Sequence, residues 1–326
     1  MLLGDSRLAA QSDIIVGDGR AFSIRRYRSS RVDIRLSLLN VIILTHQEEL
    51  NLPHALLSLK DLDCEIFVVD SGSTDRTVEI AEAFGARVVN HSFENQARQL
   101  NWALDTLPLA ANWTLRLDAD ERLTNELAAE IGRLLLKPPP TEIAGYLIKR
   151  RVYFWGRWIR FGGYYPTWLL RLWRTGMARS EEMWMDEHMV VAGGSIGRLQ
   201  HDLIDENHKG MTFWIDKHNQ YSDREIMSIN VSSAERRRQH VGDAVARKRF
   251  LKNAIYGRSP LFLRAMAYGF LRYFILLGFL DGRAGFVFHF LQGFWYRLII
   301  DAKIYERQID KLSRDAETGT DVPDSL

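Results

Sequence analysis

Asn40-Val41-Ile42-Ile43-Leu44-Thr45-His46-Gln47-Glu48 and, shortly after it, Ile66-Phe67-Val68-Val69-Asp70-Ser71-Gly72-Ser73-Thr74-Asp75 decide the architecture of this chain. Each begins as a short, unbroken apolar run and stops at a polar or acidic residue, as a strand buried on both faces does. Arg87-Val88-Val89 and Trp113-Thr114-Leu115-Arg116-Leu117 repeat the pattern. Stretches of helical length lie between and after them, at roughly 49–60, 74–84, 95–107 and 124–136. Strands alternating with helices in this way predict an α/β fold with a mostly parallel, doubly wound sheet of the Rossmann-like, nucleotide-binding kind.

Outward from that core the character changes. Pro138-Pro139-Pro140 closes the first half, because three prolines cannot continue a helix. Residues 145–200 are rich in Trp, Tyr, Arg and Gly and read as strands and loops that cover a cleft. One domain is therefore expected over 40–205, with a nucleotide-binding half at 40–137 and a second half at 141–205. Residues 206–312 read as a helical C-terminal extension, and 313–326 as a polar tail. Ahead of the sheet, residues 1–39 form a basic arm carrying Arg25, Arg26, Arg28, Arg31 and Arg35.

Bulk composition narrows the function classes. The 326 residues suffice for one large domain with appendages, and hence for a core with a cleft. Lys plus Arg number 43 against 41 acidic residues, a net charge of +2 that supplies no global attraction to nucleic acid. Arg236-Arg237-Arg238 and Arg247-Lys248-Arg249 read most simply as a solvated helix face. Cys64 is the single cysteine, so neither an internal disulfide nor a thiolate zinc cluster can form, which fits a reducing compartment and a cytoplasmic location. Asp5, Arg7, Asp13 and Asp18 interrupt the N-terminus where a secretory signal needs an apolar run. Leu261–Leu280 and Ala284–Ile300 are broken by Arg264, Arg272, His289, Gln292 and Arg297, so neither is expected to span a membrane.

Ligands of open α/β sheets bind beyond the carboxyl ends of the strands, so the residues that follow each run matter most. Here they are Thr45-His46-Gln47-Glu48, Asp70-Ser71-Gly72-Ser73-Thr74-Asp75 and Asp118-Ala119-Asp120-Glu121. Asp118 and Asp120 flank one residue, and a turn after Leu117 lets both face one side and share a hard divalent cation with phosphate oxygens. Taken alone, each feature has a plainer account: Asp118 ends a strand while Asp120 and Glu121 open a turn, and Asp70 heads an Asx-type turn eased by Gly72. Gln99 and Asn101, two residues apart on a helix, cannot share one face, so one is expected toward the cleft, with Gln99 preferred, and the other packed elsewhere.

Taken together and in this order, the three strand ends resemble those of the family 2 glycosyltransferases of the so-called GT-A fold. Phe93-Glu94-Asn95-Gln96-Ala97-Arg98-Gln99-Leu100-Asn101-Trp102, Trp184-Met185-Asp186-Glu187-His188 and Leu277-Gly278-Phe279-Leu280-Asp281-Gly282 are similar to the branch working in lipopolysaccharide core and exopolysaccharide synthesis. The resemblance covers about residues 40 to 308 and implies a nucleotide-sugar donor, a glycan or lipid-linked acceptor and a divalent metal, Mn²⁺ or Mg²⁺. It implies that Thr45 and Glu48 line the nucleotide pocket, Asp70 binds the base or ribose, Asp118 contacts the ribose, and Asp120 holds the metal on the diphosphate. The family inverts, so a carboxylate must deprotonate the acceptor hydroxyl. Glu187 is the first candidate and Asp186 the second; the competing account of Asp186-Glu187-His188 is an exposed charged turn. His188 is either a further metal contact or a structural histidine. Two departures from the family pattern stand out. His46-Gln47 replaces a Tyr-Asn pair after the first strand, and Asp186 precedes Glu187 where a His-Glu pair is common.

Arg157, Trp158, Arg160 and Arg171 either clamp the diphosphate and stack on sugar rings or pack as ordinary amphipathic residues. Residues 261–300 combine aromatic and aliphatic side chains with Arg264, Arg272, Arg283 and Arg297, which suits an interfacial helix pair at a membrane surface, a pair packed on the catalytic domain, or a homodimer interface. Two rival functions are weaker. A nucleotidyltransferase would carry a Gly-rich basic loop where Thr45-His46-Gln47-Glu48-Glu49 stands, and a non-catalytic, membrane-associated scaffold would have lost carboxylates that are present here.

Overall fold

A computed structural model describes residues 11–15, 21–25, 37–181, 188–230 and 259–318. The strands in chain order are β1 (Gln11–Ile15), β2 (Ala21–Arg25), β3 (Leu39–Thr45), β4 (Cys64–Asp70), β5 (Arg87–Asn90), β6 (Trp113–Arg116), β7 (Glu121–Leu123), β8 (Ile143–Phe154), β9 (Arg157–Ile159), β10 (Thr167–Arg174), β11 (Ala178–Ser180), β12 (Met189–Val191) and β13 (Ser195–Glu206). Helices α1 (Leu52–Leu57), α2 (Thr77–Ala83), α3 (Gln96–Thr106) and α4 (Asn125–Leu136) alternate with the first strands, and α5 (Gly210–Asn230) follows the last. The chain divides into two compact units, residues 1–153 with 165–209, and residues 154–164 with 210–326.

The first unit is built on a sheet with strand order β5-β4-β3-β6-β10-β8-β13-β7. β3 pairs in parallel with both β4 and β6, and β4 with β5. Leu39-Asn40-Val41-Ile42-Ile43 are all buried, as a central strand covered on both faces requires. Alternate side chains feed two cores. Val41, Ile43, Val68 and Leu115 join α1 and α4 on one face, while Ile42, Phe67 and Val69 meet Leu100 and Ala103 of α3 on the other. The helices start where their caps dictate: Asn95 accepts from Arg98 N at 2.8 Å, and Thr124 accepts from Leu127 N at 3.2 Å. The four helices expected at roughly 49–60, 74–84, 95–107 and 124–136 are the observed α1 to α4, shortened by up to three residues at each end.

Two regions differ from the sequence reading. Residues 145–200 do not merely cover a cleft: β8, β10 and β13 extend the same sheet, with β10 antiparallel to β6 and to β8, and β13 parallel to β8. Glu121, which the plainer account places in a turn with Asp120, begins a short strand, Glu121–Leu123, paired antiparallel to β13. It is only three residues long, too short for periodicity to reveal. In the N-terminal arm β1 and β2 form an antiparallel pair.

Chain direction fixes which strand ends share an edge. β6 runs with β3; β10 runs against β6, β8 against β10, and β13 with β8. The carboxyl end of β13 therefore emerges on the same edge as those of β3, β4 and β6. Chain order also reverses at β3, which is flanked by β4 on one side and β6 on the other, the kind of switch point where ligands bind in open α/β sheets.

Candidate functional site

At the ends of β3 and β4 the backbone is tied first, with Ser71 N donating to Thr45 O at 3.0 Å. Thr45 Oγ1 then donates to Asp70 Oδ1 at 2.9 Å. Asp70 also accepts from Ser73 N at 2.8 Å and Ser73 Oγ at 2.6 Å, a turn that Gly72 permits at φ +78°. The plainer account of Asp70 as a turn former is thus part of its role, and with only 1% of its surface exposed it is a rigid wall of this edge. Gln99, near the start of α3, donates through Nε2 to Ser71 Oγ at 2.6 Å. Asn101 faces away from this group and exchanges two 2.9 Å hydrogen bonds with the Ser180 backbone.

The loop after β3 is unusual at Gln47, which holds φ +57° without being glycine. Asn adopts that conformation more readily than Gln. Here backbone and side chain compensate: the Gln47 backbone N donates to Ser73 Oγ at 2.8 Å, Nε2 to Thr74 Oγ1 at 2.8 Å, and Oε1 accepts from Asp75 N at 3.1 Å. The His46-Gln47 departure is therefore accommodated by the Ser73-Thr74-Asp75 turn.

Glu48 sits in a second group. Its Oε1 accepts from Lys209 Nζ at 2.6 Å and its Oε2 from Asn51 Nδ2 at 2.8 Å. Burial pushes the Glu48 carboxyl above its ordinary value, Lys209 pulls it back, and the negative charge of Asp120 adds to the rise. Asp120 accepts from Asn207 Nδ2 at 3.2 Å, and His208 N donates to Asn51 Oδ1 at 2.8 Å. The segment 207–209 thus gathers the loop after β3 and the turn after β6. Sequence reasoning passed over Asn207 and Lys209, although they follow the carboxyl end of a strand like every other residue of this edge. What was missing was the direction of β13.

Asp118 belongs to a third group. Its Oδ1 accepts from Arg116 Nε at 3.1 Å and its Oδ2 from Arg171 NH2 at 2.7 Å. The same Arg171 nitrogen donates to Glu121 Oε1 at 2.6 Å. Burial alone would raise Asp118, but the guanidinium groups of Arg116 and Arg171 outweigh it and hold the carboxyl well below the usual range. Glu121 moves the other way, raised by burial. Arg171, 53 residues from Asp118, is thus a buried clamp on these two carboxylates.

Asp186 and Glu187 lie outside the described residues. His188 is exposed, and its carbonyl accepts from Glu181 N at 2.9 Å. Among the described residues no three of His, Cys, Asp and Glu gather as a ligand set. An all-protein cage is not what a hard cation on a diphosphate needs, since Mg²⁺-like ions bind through one or two carboxylates and complete their shell with water and phosphate oxygens. Asp120, an oxygen donor whose field is strong enough to raise Glu48, fits that type of site.

The comparisons with known proteins agree with this geometry. The model of Glycosyl transferase family 2 matches residues 40–180. An uncharacterized glycosyltransferase of Rickettsia bellii (strain RML369-C) is 36% identical over 111 residues, which are 34% of this chain, and the chain spans 37% of that protein's length. The lipopolysaccharide core biosynthesis glycosyltransferase LpsC of Rhizobium meliloti (strain 1021) is 28% identical over 279 residues, covering 82% of this chain and 92% of LpsC. Among solved structures, the mannosyltransferase PcManGT from Pyrobaculum calidifontis, in complex with GDP-Man and Mn²⁺, has the same fold, with a TM-score of 0.50 and 13% identity over 82% of this chain and 86% of that one. With its mostly parallel sheet and its acidic strand ends at one edge, the chain carries over residues 40–180 a domain that matches the model of Glycosyl transferase family 2.

Proposed function

We propose that the protein is an inverting glycosyltransferase that moves a sugar from a nucleotide-sugar to a glycan or lipid-linked acceptor in the synthesis of bacterial cell-surface polysaccharide. The observation that carries this reading is the convergence of Thr45, Glu48, Asp70, Asp118 and Asp120 on one sheet edge of a family 2 domain. Similarity to LpsC along most of both chains supports the lipopolysaccharide core as the product class.

In this reading the Thr45–Asp70–Ser71–Gln99 group holds the nucleoside, with donors and acceptors fixed before the ligand arrives. Asp118, kept ionised by two guanidinium groups, presents a permanent acceptor to a ribose hydroxyl. Asp120 would hold a divalent cation, which would neutralise charge on the diphosphate. Lys209 adds a fixed positive charge close by. The acceptor oxygen attacks the anomeric carbon from the face opposite the diphosphate; the bond from that carbon to the phosphate oxygen breaks, and the nucleoside diphosphate leaves with the electron pair. Glu187, or Asp186 in its place, takes the proton of the acceptor hydroxyl. The nucleotide-sugar supply and the single cysteine favour a cytoplasmic location.

The test is transfer from a panel of nucleoside-diphosphate sugars to truncated lipopolysaccharide core, with the anomeric configuration of the product read by NMR. Transfer with inversion, lost in Glu187→Gln or in Asp186→Asn, is expected. A product that retains configuration, or full activity in both variants, refutes the mechanism.

A further inference from the structure

Part of the second unit is built largely inside out. Along the segment from Leu263 to Trp295, apart from the buried Phe288, the residues turned inward are small or polar: Ala265, Gly278, Asp281, Gly285, His289 and Gly293 are all buried. A Cβ on Gly278 would stand 2.8 Å from His289 Nε2, and one on Gly269 would stand 3.0 Å from Phe294 Cβ, so these glycines are where the helical segments touch. Most inward polar contacts are made within the unit, although His289 Nδ1 is buried with no hydrogen-bond partner among the described residues. Asp281 accepts from Arg160 N and Phe161 N, both at 3.1 Å, and lies 3.2 Å from His289 Nε2. Asp301 accepts from Phe262 N at 2.8 Å and Arg264 Nε at 2.7 Å.

The outward residues are large and apolar. Phe270, Tyr273, Phe274, Phe279, Phe286 and Phe290 are linked ring to ring at centroid distances of 4.9–6.4 Å. All of these but Tyr273 are exposed, and so is Ile275, at 61%. A helix that packs in water buries its apolar stripe and exposes its charges, and large contiguous apolar patches are rare on soluble monomers. The reverse order, with small and hydrogen-bonded polar residues inside and Phe, Leu and Ile outside, is what a hydrocarbon environment selects.

Among the described residues no single helix is long and apolar enough to cross a bilayer. The segments Leu263–Ile275 and Gly278–Lys311 are bent by 67° at Leu276-Leu277. Cations border the bend: the exposed Arg157 packs its guanidinium against Gly282, and Arg283 next to it is also exposed. Arg160 lies over the Trp158 ring at 5.4 Å, and Trp155 nearby in sequence is 62% exposed. Tryptophan and arginine together suit the headgroup level, where an amphipathic ring and a cation meet anionic lipid.

We infer that the bent helical segment 263–295 is a monotopic anchor that seats its outer aromatic face in one leaflet of an anionic bilayer. The cationic border selects a lipid surface over an uncharged apolar partner.

The experiment is flotation of the full chain with vesicles of phosphatidylcholine carrying about 30 mol% phosphatidylglycerol, beside vesicles of phosphatidylcholine alone. The wild type is expected to rise with the anionic vesicles, more weakly at high salt. The double variant Phe274→Glu with Ile275→Glu should lower the bound fraction by about tenfold. Leu136→Glu, on the first unit and 78% exposed, should leave it unchanged. Circular-dichroism melts of all three proteins establish that each is folded. A wild type that stays unbound at low salt, or a double variant that floats as well as the wild type, overturns the inference. So does a wild type that fails to float but runs as a dimer split by the double substitution, which would assign the face to a second copy of the chain. None of these readouts depends on sugar transfer.

Discussion

Lys209→Met removes one ammonium group and tests the electrostatic account of the site edge. In the folded protein Nζ lies 2.6 Å from Glu48 Oε1, with side-chain exposures of 10% and 17%. At an effective dielectric constant near 20, two unit charges at that distance attract by about 6 kcal/mol. Dehydration of both groups offsets roughly half of this, so loss of the pair should cost about 3 kcal/mol, as breaking a mostly buried ion pair does. The cost should depend on pH in a defined direction. The folded Glu48 carboxyl already lies above its unfolded value, so its contribution to stability falls as pH rises between the two. Without Lys209 the folded value moves higher still, and the variant protonates Glu48 where the wild type does not. The difference in stability should be small in acid, grow by up to about 1.4 kcal/mol per pH unit above the wild-type Glu48 value, and level off above the variant's higher Glu48 value. Urea unfolding from pH 4.5 to 8, with proton uptake followed by the carboxyl NMR shift of Glu48, measures it. A difference that stays constant over the range would mean that Lys209 acts by packing alone.

Three further outcomes follow from the same contacts. Arg171→Leu leaves Asp118 and Glu121 without their shared guanidinium and should destabilise the protein by about 3–5 kcal/mol in denaturant unfolding. Asn101→Ala breaks two buried hydrogen bonds to Ser180 and should cost about 2 kcal/mol while leaving nucleotide affinity unchanged, because that side chain faces away from the edge. Leu100→Ala, at a fully buried position between α3 and β3, should cost about 2–5 kcal/mol by thermal unfolding.

The fold was legible where strands are long, buried and regular. Ile42-Ile43-Leu44 and Phe67-Val68-Val69 need apolar neighbours on both faces, and that need is written as unbroken hydrophobic runs. β8 and β13 were harder. Lys149-Arg150-Arg151 interrupts the first, and its charges are satisfied across the sheet by Asp202 and Asp205 of the second, a pairing between residues some 50 positions apart. For the same reason Asp118 and Arg171 could each be picked out but not their pairing, Arg171 being expected on the diphosphate or in ordinary packing: the motif is local, whereas Arg171 reaches Asp118 from β10. Lys209 was hidden by direction, since a residue after a strand joins the site edge only if that strand runs with β3. The inside-out part of the second unit was legible as composition but not as arrangement. Glycines and phenylalanines are interspersed through 269–294, and only the packing shows which of them face inward.

The most direct measurement is calorimetric titration of a panel of nucleoside diphosphates and nucleotide-sugars into the wild type and Asp120→Ala, each with and without Mn²⁺ or Mg²⁺. The account predicts that one nucleotide binds the wild type in a metal-dependent way and that this dependence vanishes in Asp120→Ala. Equal metal-dependent binding by both proteins, or no binding by the wild type to any nucleotide, would contradict it.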